Sequence, residues 1–196
     1  LRVMLALILL LTLFPRPWQT PRIRHPDHWP AYVWMAIPIT MMLLFWLLRE
    51  RTLRGDALTT MAVLEGRSEI SWNGPYFWKE PLDRLITVAT YHLLHRWLGW
   101  DAWSAIAGVS IMAGGIFTIA AMGLACTLGR NPLEEFLVFA LLMTTGAAQL
   151  FFGHVENYTL VMMASALYLW GGSHLLANGS PSRRPPWGTG LALGLA

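Results

Sequence analysis

Charge is what this chain has least of. Asp, Glu, Lys and Arg make up 13% of its 196 residues, against 55% hydrophobic residues and a mean hydropathy of +0.46. That balance lies on the membrane side of ordinary globular usage, which carries about twice as much charge, and it predicts an integral membrane protein. Cysteine is nearly absent. Cys126 stands alone in an apolar run, so an intrachain disulfide and a cysteine-based metal cluster are both excluded. Long runs of like charge are missing too. The net charge of +3 and pI near 9.4 come from scattered arginines, which flank spans in membrane proteins, so no nucleic-acid partner is expected. No internal repeat is apparent.

What is present is a series of apolar stretches separated by short connectors, and it predicts an all-α, polytopic transmembrane helix bundle forming one membrane domain over residues 1–196. Spans are expected at about 1–14, 31–48, 103–128, 133–152 and 158–177, with another beginning at 188–196. The first stretch is not followed by an A-x-A-like cleavage site and the last is too short to cross, so the chain reads as the N-terminal part of a longer membrane protein. Trp29, Tyr32, Trp34 and Trp46 sit at the ends of the 31–48 stretch, where amphipathic rings favour an interface, and Pro38 is expected to kink it. Basic residues at Arg16, Arg22 and Arg24, and again at Arg183 and Arg184, fall on one side by counting crossings. That side is the cytoplasmic one under the positive-inside tendency, although Arg49, Arg51 and Arg54 argue the other way. With either orientation, Asp56, Lys79 and Glu156 share one face.

The one long charge-bearing interval, residues 49–102, is predicted to be a large external loop built on amphipathic interfacial helices. Leu58, Met61, Ala62 and Leu64 mark a short helix that Gly66 closes in a left-handed conformation. SWNGPY at 71–76 is turn chemistry, and Pro81 suits the first turn of a second helix. Along that helix Leu82, Leu85, Ile86, Ala89, Leu93 and Trp97 form one stripe, and Asp83, Arg84, Thr87, Tyr91 and His95 another. Taken alone, Asp56 suits a helix N-cap, Lys79 suits a snorkelling interfacial lysine, and Glu156 suits a solvated span end. His92 and His95 are spaced to share a metal, but without a third ligand they read as structural.

The run GDALTTMAVLEGRSEISWNGPYFWKEPL resembles the first external loop of GT-C-type polytopic membrane glycosyltransferases, in the branch of the aminoarabinose and protein O-mannosyl transferases. Gly55-Asp56 is similar to the acidic motif after that family's first span, and Asn73 to Leu82 is similar to its N-G-x-x-Y-F-x-K-x-P-L-like segment. The resemblance extends over residues 31–177. It implies an enzyme of the bacterial inner membrane that moves a sugar from a polyprenyl-phosphate donor to an acceptor hydroxyl on the non-cytoplasmic face, the acceptor being a glycan, lipid or protein. Asp56 would be the catalytic base, and Lys79 and Arg84 would bind the donor phosphate, with Arg96 a further candidate. Glu156, with His154 and Asn157 beside it, would orient the acceptor or assist a divalent metal. The family's Asp-Glu pair is Asp56-Ala57 here, which leaves the metal and the sugar open. Two other classes stay open: a non-enzymatic scaffold or pseudoenzyme, and a transporter, which the near absence of charge within the spans disfavours.

Overall fold

A long apolar helix rich in small residues can be approached closely from several sides, and the rest of the fold is gathered around one such helix. The computed structural model describes residues 29–49, 56–66, 81–151 and 158–178. Among them are six α-helices and no strand: α1 Ala31–Leu47, α2 Asp56–Leu64, α3 Pro81–Leu98, α4 Ala102–Leu128, α5 Pro132–Met143 and α6 Tyr158–Asn178, with a 3₁₀ turn at Gly146–Phe151 between the last two. The all-α expectation therefore holds for the described residues. Those expected spans that lie at 1–14 and 188–196 fall outside them.

Helix α4 is the one described helix that is both long and apolar enough to cross a membrane. Every other described helix packs against it. Ala105, Ala107, Ser110, Ala113, Gly114, Gly115, Thr118, Ala120, Ala121, Gly123 and Ala125 are buried along it, and small residues of this kind let neighbouring backbones come close. The close approach can be measured at the glycines. A Cβ on Gly114 would lie 2.7 Å from Phe151 Cβ and 2.8 Å from the Phe45 ring, and one on Gly115 would lie 2.5 Å from Met42 Sδ. A Cβ on Gly123 would run into the Trp170 indole. Phe45, Phe117 and Phe151 fill the centre, with ring centroids 6.0 Å and 4.9 Å from Phe151. Hydroxyls in this apolar setting are satisfied at home: Thr118 donates to the Gly114 carbonyl and Thr127 to that of Gly123, each at 2.8 Å.

Helices α1 and α4 run antiparallel. Trp29, ahead of α1, meets Glu135 just beyond the end of α4, whereas Arg49, after α1, meets Trp103 in the first turn of α4. Helix α1 continues through Pro38, which is buried.

The stretch expected as one span over 133–152 is divided. Helix α5 has 12 residues, about 18 Å of rise against a hydrocarbon core of roughly 30 Å. Thr144 and Thr145 turn their hydroxyls onto the carbonyls of Ala140 and Leu142 at 2.8 Å, side-chain bonds that compete with helix propagation. Gly146 then opens the 3₁₀ turn, whose Leu150 carbonyl accepts a 2.9 Å hydrogen bond from Ser110 Oγ of α4.

Candidate active site at the Asp101 end of the central helix

Helices α2 and α3 close one end of α4, and the sequence explains how each is held there. In α2, Met61 and Leu64 fall on one face and pack on Ala102 and Ile106 of α4, with Val88, Tyr91 and Trp103 beside them. The helix stops at Gly66, which takes φ +67°, a conformation that costs glycine nothing. Helix α3 ends likewise at Gly99, φ +66°, whose N–H bonds the His95 carbonyl.

The facing of α3 is the reverse of a helix on a water-soluble domain. Arg84 is only 2% exposed and Thr87 is buried, so the first half of the polar stripe turns toward the protein, whereas His95 and the further candidate Arg96 are exposed. Leu85, Leu93 and Trp97, spaced by four and by eight along the apolar stripe, are 58%, 58% and 76% exposed. Inside, Arg84 Nη1 donates to Thr60 Oγ1 of α2. Asp56 opens α2 one turn before Thr60, so the backbone position of the expected base and the buried guanidinium belong to the same corner of the fold. The side chain of Asp56 lies outside the described residues, as do Lys79, His154, Glu156 and Asn157.

Beside this corner lies a cluster that was not recognised in the sequence. The Arg49 guanidinium sits over two indoles, 4.1 Å from the ring centroid of Trp46 and 5.0 Å from that of Trp103. Trp46 in turn packs against Trp100, centroids 5.8 Å apart. Asp101 caps α4, its Oδ1 accepting a 2.9 Å bond from Ser104 N–H. Hydrogen bonds from Ser104, side chain first and backbone second, hold its carboxyl below the ordinary 3.8, and the Arg49 charge adds a smaller pull in the same direction. The Arg49 Nε is buried and has no hydrogen-bond partner among the described residues. The one available signal was local: Trp46 and Arg49 are three apart, and Trp100 and Trp103 bracket Asp101.

His92 and His95 do not join a metal set here. Both rings pack on Tyr91, at 5.4 Å and 5.3 Å, and His95 Nδ1 lies 2.8 Å from the Trp100 carbonyl. A carbonyl only accepts, so Nδ1 carries the hydrogen in that contact. Among the described residues no group of three or more His, Cys, Asp or Glu side chains is arranged to hold a metal.

The other end of α4 is polar as well, but its groups are consumed locally. Asn131 caps α5 by accepting from Glu134 N–H at 3.0 Å, and Glu134 accepts from Arg130 N–H at 3.0 Å. Glu135 is buried, and its Oε2 accepts from the Trp29 indole N–H at 2.8 Å. Compared with known proteins, the chain matches no family model, no curated protein and no solved structure.

Proposed function

We propose that this chain is a polytopic membrane glycosyltransferase of the GT-C type, using a polyprenyl-phosphate-linked sugar and working at the membrane face where α4 begins. The observation that carries the reading is the facing of α3. Leu85, Leu93 and Trp97 look outward, while Arg84 and Thr87 near its start turn inward, toward the corner where α2 begins at Asp56. Such a helix suits the boundary of a bilayer, with lipid outside and a polar site behind it. Helix α4, the one described helix long and apolar enough to cross a membrane, supports the membrane part of this reading, in which α1, α5 and α6 are taken as the rest of a polytopic bundle.

The chemistry follows from the residue types. As the acceptor hydroxyl attacks the anomeric carbon, its proton passes to the Asp56 carboxylate. The bond from that carbon to the phosphate oxygen breaks on the opposite side, and the electron pair leaves on the lipid phosphate. A phosphate monoester is a weak base, so the step needs positive charge at the leaving oxygen more than it needs a proton donor. Lys79 and Arg84 supply that charge, and Glu156, with His154 and Asn157 as neighbours, orients the acceptor.

The test is sugar transfer from a polyprenyl-phosphate sugar by the membrane-inserted protein. Asp56→Asn is expected to lower turnover by about 10²-fold or more, the usual span of a lost general base. Undiminished turnover in that variant would remove Asp56 from the mechanism.

A further inference from the structure

The strongest feature left over is the aromatic-arginine cluster at 46–49 and 100–103. We propose that Arg49, held over Trp46 and Trp103, is a binding site for a lipid phosphodiester at the membrane surface. The inference rests on the membrane reading of α1 and α4, not on sugar transfer.

Three observations carry it. The first is geometric. A guanidinium meets an indole through its π face, whereas its five N–H donors lie in its own plane. The contacts at 4.1 Å and 5.0 Å position the group through ring faces rather than through a carboxylate. The second is that no acceptor among the described residues is bonded to these donors. No hydrogen bond or ion pair joins Arg49 to another described residue, and its buried Nε has no partner among them. The Asp101 carboxylate, which feels the Arg49 charge, is engaged by Ser104. The third is position. Arg49 follows the last turn of apolar α1 and faces the first turn of apolar α4, beside Trp46, Trp100 and Trp103, the level at which indoles and lipid phosphates meet.

A phosphodiester matches these donors. It carries one negative charge on two unesterified oxygens, the pattern that a guanidinium fork recognises bidentately. A glycerophospholipid headgroup and a polyprenyl-phosphate sugar both offer it. The buried cation among the described residues, Arg84, is placed differently, its Nη1 donating to Thr60 Oγ1.

The experiment uses the chain in dodecyl maltoside micelles, which contain no phosphate, with retained lipid counted by native mass spectrometry. Phosphatidylglycerol and undecaprenyl-phosphoryl-mannose are titrated separately, with diacylglycerol as the phosphate-free control. Wild type should retain one or both phosphate lipids and not diacylglycerol, and Arg49→Gln should weaken retention about tenfold or more. Preference for phosphatidylglycerol identifies a headgroup site, and preference for the polyprenyl lipid identifies a donor site. Arg130→Gln, an exposed cation at the opposite end of α4, should leave retention unchanged. In case Arg49→Gln disturbs folding, a second measurement uses Arg49→Lys, which keeps the charge. In ¹³Cζ-arginine protein, ¹³C to ³¹P dipolar recoupling should be present in wild type and reduced in Arg49→Lys. Equal retention by wild type and a folded Arg49→Gln, equal retention of diacylglycerol, or recoupling unaffected by Arg49→Lys would overturn the proposal. None of these readouts depends on transfer, so failure here and failure of the Asp56 test are distinguishable.

Discussion

The two ends of the central helix are built from the same residue types and use them differently. At the Gly129 end, Asn131, Glu134 and Glu135 spend their oxygens on Glu134 N–H, Arg130 N–H and the Trp29 indole. At the Asp101 end the aspartate caps α4, Arg49 lies over the faces of Trp46 and Trp103, and α2 and α3 bury Arg84 behind an apolar surface. The first arrangement is closed, and removing a member costs stability. The second holds two cationic groups by ring faces and a hydroxyl, an arrangement that the proposed anionic substrate would use.

The contrast can be broken in graded ways. The largest effect is expected from Asp56→Asn, about 10²-fold in turnover with little change in melting temperature, measured by transfer and by thermal denaturation in the same preparation. At the closed end the pattern should invert: Trp29→Phe removes the donor to buried Glu135 and is expected to cost about 1–3 kcal/mol by denaturant or thermal unfolding, with transfer by the folded fraction intact. Between the ends, Gly114→Ala places a methyl against Phe151 and Phe45. It is expected to destabilise by about 1–3 kcal/mol, and a smaller companion at Phe45 should recover part of the loss.

The smallest expected effect is at Asp101. Losing the cap in Asp101→Ala is expected to cost about 1 kcal/mol. Because the folded carboxyl titrates below its unfolded value, its contribution is complete above the usual carboxylate range and disappears as pH falls through the lowered folded value. Melting temperatures of wild type and Asp101→Ala should therefore converge on acidification, and a gap that persisted at low pH would place the stabilisation elsewhere.

Much of the helical frame was legible in the sequence because apolar runs end at strong local signals. Helix α1 begins after Pro30, α4 begins after the Asp101 cap, and Gly66 and Gly99 close the two surface helices. The division at Thr144 was not legible, since residues 133–152 are apolar on both sides of it and the hydroxyl-to-carbonyl bonds appear only once a helix exists to be interrupted. The stripes of α3 could be read, but not that Arg84 and Thr87 turn inward, because periodicity gives an angle and not a neighbour. Of the expected site, the structure describes the backbone start at Asp56 and the buried Arg84. The Arg49 cluster escaped notice because its members are far apart in the chain, and an arginine after a span reads as an ordinary flanking charge.

The most direct measurement is a paired transfer assay on membranes carrying wild type, Asp56→Asn or Trp29→Phe, each normalised to folded protein. The expected result is transfer from the polyprenyl-phosphate sugar by wild type and Trp29→Phe and a loss of about 10²-fold in Asp56→Asn alone. Equal rates in wild type and Asp56→Asn, or a specific loss in Trp29→Phe, would contradict the assignment of the Asp101 end as the working end of the molecule.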